Sequence, residues 1–298
     1  MEILTNSAIG QFKNCRRAFY YRRVEELALR YESISRGVGS AVHKGLETGS
    51  VEEALHLFDD TFPSDQEEAN RLEVNRAIVQ AMLEGYFDLY GAGWDGDFYP
   101  EKQFELPIIN PDTGATSRSF RLAGKVDGLL HKDGRWWLVE YKTAGMVDKN
   151  YIDRLMLDQQ LTTYIYGLQR QEGVKISGII YRMLRKPSIR QRKNETVGQF
   201  TDRLSQDYKD RPEFYFYEEQ LYRTQEDLDE FERELWSITQ DLLKCRREGL
   251  WYRNTSRCRD WGSCDYLPLC SYQPDAADLF VTKEKNIELK GDGESDVA

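Results

Sequence analysis

The chain has 298 residues, 40% of them hydrophobic, and 41 Lys and Arg against 51 Asp and Glu for a net charge of −10. That is enough apolar material for a sizeable core in one large or two small domains, and the acidic balance argues against a protein that coats nucleic acid, because phosphate contacts need Lys and Arg. No apolar run reaches the length of a bilayer span, no secretory signal opens the chain, and five cysteines, an odd number with three bunched near the end, are not a secreted disulfide framework, so a soluble, cytoplasmic chain with reduced thiols is expected.

In chain order, residues 6–24 read as a helix opened by Asn6 or Ser7, with Ile9, Phe12, Cys15 and Phe19 on one apolar face. Gly37-Val38-Gly39 leads into a second helix, running to Glu47, that carries His43 near its start. An acidic stretch from Pro63 to Glu68 precedes an amphipathic helix with Leu72, Val79, Met82, Leu83, Phe87 and Tyr90 as its stripe. Tyr99 to Ile109 alternates as a strand, with Phe104, Leu106 and Ile108 on one face and Glu101, Gln103 and Glu105 on the other.

Phe120 to Thr143 reads as a hairpin around the turn Lys132-Asp133-Gly134. In its first strand Asp127 falls on the polar face with Lys125; in its second, Glu140 and Lys142 oppose Trp137, Val139 and Tyr141. An Asp, a Glu and a Lys thus converge on one side of one hairpin. Two hard carboxylates can hold Mg²⁺ or Mn²⁺ beside a phosphodiester while an ammonium positions or deprotonates the attacking water. A solvated strand face with a surface Lys–Glu pair is the bland alternative.

Asp148 to Gln171 reads as a helix with Leu157, Leu161 and Leu168 towards the sheet and with Gln160 and Tyr164, four apart, on one face. Ile176 to Leu184 is the next strand, so this helix is a crossover and the sheet is mixed α/β. Arg182 emerges near the same edge. Residues 185–212 are basic, polar and aperiodic, and read as a mobile insertion or DNA-facing loop. A long helix follows, with a capping box at Thr224 and Asp227 and Cys245 on its apolar stripe. Cys258, Cys264 and Cys270, each pair separated by five residues, suit a loop folded around a metal centre, with zinc as one candidate metal. The charged tail from Asp275 is expected to be partly disordered.

The pattern Gly124-Lys125-Val126-Asp127-Gly128 followed by Glu140-Tyr141-Lys142-Thr143 resembles the core of the PD-(D/E)XK nuclease superfamily, in particular its RecB-like branch. Gly39-Ser40-Ala41-Val42-His43 upstream, Gln160 and Tyr164 downstream, and one early cysteine matched to a late cluster stand in the same order, so the resemblance spans roughly residues 7–272. It implies an α/β, restriction-endonuclease-like mixed-sheet core flanked by helices. It implies catalysis by Asp127, Glu140 and Lys142, metal held by His43, Asp127, Glu140 and the Tyr141 carbonyl, and DNA contacts from Thr143, Gln160, Tyr164 and Arg182. Glu101, ahead of Glu105, matches the family's glutamate near the metals. With Cys15 as a fourth thiolate, the late cysteines resemble the iron–sulfur staple of AddB-type and CRISPR-associated RecB-like nucleases, a [4Fe–4S] cluster joining the N- and C-terminal segments, although those families commonly leave only two residues in the first gap.

The resulting expectation is one nuclease domain over residues 1–274, with a helical part at 1–97, an α/β core at 98–184, a C-terminal helix and cysteine cluster at 213–274, and a tail at 275–298. Its activity would be Mg²⁺- or Mn²⁺-dependent exonuclease or end-processing work on single-stranded DNA, alone or with recombination, replication or CRISPR-adaptation proteins. The alternative is a non-catalytic DNA-binding or scaffold subunit that keeps the fold.

Overall fold

Two adjacent chain breaks decide the architecture. In the computed structural model, which describes residues 1–30, 37–59, 61–63, 65–259, 263–286 and 289, the segment expected as one strand from Tyr99 is two. It divides at Glu101, whose φ of 50° is left-handed, and the facing strand divides at Val126 and Asp127. The Glu101 N–H donates to the Asp127 carbonyl and the Val126 N–H to the Lys102 carbonyl, so the two breaks lie opposite each other and one ribbon passes from one sheet into another.

The N-terminal third is largely helical. After β1 (Glu2–Leu4) come α1 (Asn6–Asn14) and α2 (Arg16–Phe19), the latter running into a π-turn. The single helix expected over 6–24 is interrupted because Cys15 is extended, with φ −158° and ψ 112°, and its Sγ accepts from the Asn254 N–H. Then follow β2 (Leu27–Leu29), α3 (Gly37–Thr48), α4 (Val51–His56) and α5 (Gln66–Tyr90). Asp65 caps α5, and Gly91, at φ 77°, ends it.

The sheets are built from β3 (Asp97–Pro100), β4 (Gln103–Ile109), β5 (Thr116–Lys125), β6 (Gly128–Lys132) and β7 (Arg135–Ala144). After them come α6 (Lys149–Leu155), α7 (Gln159–Glu172) and β8 (Ile176–Arg185). The crossover is therefore two helices. Asp158 caps the second, and Leu157, expected to face the sheet, sits in the joint between them and is 91% exposed, whereas Leu161 and Leu168 are buried as expected.

Residues 185–212 are not a featureless loop: α8 (Val197–Asp210) is set by a capping box between Thr196 and Gln199 and buries Phe200, Leu204 and Tyr208. The short α9 (Pro212–Tyr215) then leads into β9 (Phe216–Leu221), and α10 (Gln225–Glu248) forms where expected, with Cys245 buried. The chain closes with α11 (Leu267–Cys270) and β10 (Phe280–Thr282). Part of the predicted disordered tail is thus ordered: β10 pairs antiparallel with β2, Phe280 opposite Leu29. The remainder of the tail beyond Leu289 lies outside the described residues.

The larger sheet has the order β3-β6-β7-β8-β9, with β7 and β8 parallel, and the smaller has the order β1-β5-β4. Both faces of the larger sheet are covered. Leu138 and Tyr181 pack with α7 and α10, while Val139 and Ile180 pack with α3, α5 and α8. The mixed α/β core flanked by helices is therefore as expected. Among the described residues no helix is long and apolar enough to cross a membrane.

Candidate active site

Where the ribbon changes sheets, β6 stops pairing with β7 at Gly128 opposite Val139. One more backbone pair would put residue 126 against Tyr141; instead the Asp127 side chain takes that place, its Oδ2 accepting the Tyr141 N–H at 2.7 Å. The break therefore aims a carboxylate at β7. Its other oxygen, Oδ1, lies 3.2 Å from His43 Nδ1 on α3.

Glu140 is 1% exposed although it lies on the face first read as polar, because α7 covers that face. Its Oε1 accepts from Lys142 Nζ at 2.5 Å, while Oε2 is buried with no hydrogen-bond partner among the described residues. Across the cleft, Gln160 Nε2 donates to the Tyr164 hydroxyl at 2.7 Å. Thr143, next to Lys142 on β7, faces α3, its Oγ1 3.5 Å from where a Cβ on Gly39 would sit.

These charges are strongly interdependent. Loss of solvent, then the Asp127 charge, pushes the Glu140 carboxyl up to about 7 against the pull of Lys142. For Asp127, desolvation is outweighed by His43, Lys142 and the Tyr141 N–H, so its pKa is lowered. Desolvation is likewise overcome at Lys142 by Glu140 and Asp127, and at His43 by Asp127, so both are raised. At neutral pH the site holds an ionised aspartate, a glutamate near its midpoint and a lysine that keeps its proton.

The donor chemistry fits a divalent cation. A buried carboxylate oxygen without a partner costs free energy unless something positive faces it, and Mg²⁺ takes one or two carboxylates and completes its shell with water and phosphate oxygens. Among the described residues no group of three or more His, Cys, Asp and Glu side chains is arranged to hold a metal ion. A site here therefore rests on Asp127, Glu140 and backbone, with His43 behind Asp127.

The structure does not bring Arg182 to this group. It lies on the opposite face of β8, with Nε 2.8 Å from Glu218 Oε2, Nη1 2.6 Å from the Tyr86 hydroxyl, and its guanidinium 3.8 Å from the Trp94 ring centre. Glu101 pairs with Lys125 at 2.6 Å and Glu105 pairs with Arg121. Tyr181 stands beside Glu140 on β8, its hydroxyl 3.2 Å from that of Tyr151. Neither tyrosine was singled out in the sequence, where an aromatic in a buried strand signals only core.

Cys15, Cys258, Cys264 and Cys270 are free thiols gathered at one end of the molecule. Burial pushes the Cys264 thiol up, with Cys258 and Cys15 adding to it; burial, Cys15 and Cys264 do the same at Cys270. Cys264 thus lies near Cys258 and Cys15, and Cys270 near Cys15 and Cys264, but among the described residues no three of them are arranged to hold a metal ion.

No curated protein matches the chain. A solved structure titled "Crystal structure of SSO0001" aligns over 69% of this chain and 74% of that one, at 14% identity and a TM-score of 0.28, a likeness that carries no argument. Residues 4–271 match the family model of the PD-(D/E)XK nuclease superfamily, a span that takes in the break at Asp127, the Glu140–Lys142 strand and all five cysteines. On that match the chain belongs to the PD-(D/E)XK nuclease superfamily.

Proposed function

We propose that this nuclease is a Mg²⁺- or Mn²⁺-dependent deoxyribonuclease of the RecB-like branch, acting as an exonuclease or end-processing enzyme on single-stranded DNA. The observation that carries the reading is the partnerless Glu140 Oε2 beside an Asp127 held by a backbone N–H, with one charged lysine between them. Asp127, Glu140 and the Tyr141 carbonyl hold the cation, and His43 completes or steadies that set. When bound, the cation polarises the phosphate and makes a water more acidic.

The chain's own groups do the rest. Lys142 keeps its proton and orients the attacking water or faces the charge that builds on the phosphate oxygens. Gln160 and Tyr164, already joined on α7, present an amide and a phenol to the strand's backbone, and Thr143 offers a hydroxyl from the α3 side. Cys15, Cys258, Cys264 and Cys270 ligate a [4Fe–4S] cluster that draws the gathered thiols together. Residues 1–274 work as one nuclease unit, which fits the cross-chain bonds from Arg17 N–H to the Tyr252 carbonyl and from the Tyr266 hydroxyl to the Leu27 carbonyl. Work on DNA ends would suit a place in recombination, replication or CRISPR adaptation.

The test is cleavage of end-labelled single- and double-stranded DNA with Mg²⁺, Mn²⁺ or EDTA. Single-stranded ends should be shortened with either metal and spared in EDTA, and Lys142→Ala should abolish cutting while leaving the fold intact. Wild-type cutting by Lys142→Ala would refute the role given to this strand.

A further inference from the structure

Residues 185–193, Arg-Lys-Pro-Ser-Ile-Arg-Gln-Arg-Lys, hold five cations and no acid in a chain whose net charge is −10. The segment leaves the sheet directly beyond the catalytic strand: the Lys186 N–H donates to the Ala144 carbonyl at 2.7 Å. Lys142 lies beside Met183, so Lys186 is three residues further along β8, about 10 Å at the usual strand rise.

Its shape is fixed by a single carboxylate. Glu195 takes a two-pronged grip from Arg203 of α8, with Nε and Nη2 both at 2.7 Å, and accepts the Arg192 N–H at 2.9 Å. Arg203 also donates to the Arg190 carbonyl, and Gln191 Nε2 donates to the Glu195 carbonyl, each at 2.9 Å. Ile189 packs against the core. Arg203 holds the Glu195 carboxyl down at about 2, so the brace persists at any working pH.

Glu195 is thus consumed in bracing the backbone, and Arg190, Arg192 and Lys193 are exposed. Among the described residues none of these three makes an ion pair, although Arg192 feels the Glu195 charge. Unpaired cations are ordinary on a solvated surface; what sets these apart is the braced backbone that carries them. Three of them on a backbone held rigid, at the exit of the catalytic strand, match a ligand with regularly spaced negative charges.

Resting on the nuclease reading above, we propose that residues 185–193 form a preorganised platform for the phosphodiester backbone of the nucleic-acid strand beyond the scissile bond. The platform adds affinity for long strands and takes no part in bond cleavage. A strand too short to reach it should be handled by the catalytic groups alone.

The test compares the full chain with Arg190→Gln/Arg192→Gln/Lys193→Gln, all at exposed positions. Binding of fluorescent single-stranded oligothymidylates of 5 and 20 nucleotides is measured in EDTA from 50 to 200 mM salt, and hydrolysis of bis(p-nitrophenyl) phosphate is measured with Mn²⁺. The triple variant should bind the 20-mer at least tenfold more weakly at low salt, with a slope of log Kd against log salt shallower by about 2, since each phosphate contact on a single strand contributes roughly 0.7. Its binding of the 5-mer and its turnover of the small diester should be unchanged, and each single substitution should flatten the slope by about 0.7. Equal affinity and slope in both proteins would overturn the platform, as would polyglutamate competing as well as the 20-mer. Failure of both proteins to hydrolyse any diester would instead overturn the nuclease reading, and the binding comparison would still decide the platform.

Discussion

Replacing Glu140 by Gln should make the metal-free protein more stable at alkaline pH and no more stable at acid pH. The carboxyl titrates near 4.5 in an ordinary setting and near 7 in the fold, because burial and Asp127 oppose its charge. A folded pKa above the unfolded one means that stability is fully present below about pH 4.5 and is lost as pH rises through 7. A displacement of that size is worth roughly 3 kcal/mol once both forms are ionised. Gln imitates the protonated acid, so the variant should match the wild type at about pH 4 and exceed it by roughly 3 kcal/mol at about pH 8.5, which is roughly 6 °C in Tm for a chain of this length. Lys142 keeps Asp127 as a counter-charge in the variant. Urea denaturation of both proteins in EDTA at the two pH values measures the difference. Mg²⁺ should then raise the Tm of the wild type but not of the variant, by about 2.7 kcal/mol of stability at a hundred times its Kd. A variant no more stable than wild type at about pH 8.5, or equally stabilised at about pH 4, would refute the electrostatic account of this site.

Other consequences are as direct. A Cβ on Gly124 would lie 2.6 Å from the Phe104 ring and 3.3 Å from that of Tyr164, so Gly124→Ala should cost about 1–3 kcal/mol in denaturant titration and weaken DNA engagement, and Phe104→Leu should restore part of both. His43→Ala should raise the Mn²⁺ concentration needed for cleavage, while Tyr164→Phe should raise the KM for DNA and leave the metal requirement alone; identical metal curves would remove His43 from the site. Anaerobically purified protein should be brown, with roughly four irons per chain. Cys15→Ala should bleach it and expose both chain ends to protease, whereas Cys245→Ala, buried on α10, should keep the colour; the reverse result would overturn the ligand assignment.

The parts of the site legible in the sequence are those that obey a period. Glu140 and Lys142 share a face because strands alternate, and Gln160 and Tyr164 share one because helices repeat near four. Asp127 falls on the polar face by alternation alone, but what aims its carboxylate at β7 is the ribbon's change of sheets, an event set by pairing partners elsewhere in the chain. Arg182 was read towards the site because it is a cation near a strand end, but the register with β9, a strand not anticipated, turns it to the opposite face and pairs it with Glu218. Leu157 fitted a helical stripe that Asp158 interrupts by capping a new helix. The helix α8 does carry a local signal, Thr196 with Gln199 and the Phe200, Leu204, Tyr208 spacing, but only three buried positions in a polar, basic stretch mark its apolar face.

The pairing of β2 with β10 sets a schedule for making this protein. Leu27 to Leu29 hydrogen-bond with residues 280–282, so the strand near the start of the chain has no native partner until some 250 residues more have been synthesised. At about 5–20 residues per second that delay is roughly 12–50 s. During it β7 with Glu140, and Asp127 beside it, can already be folded, while the end that gathers the thiols stays open. A nascent chain should therefore acquire its sheet first and its closure last, and long-range closure of this kind is slow to find even after release. Late closure also leaves an interval in which the thiols at that end are accessible before β2 and β10 pair.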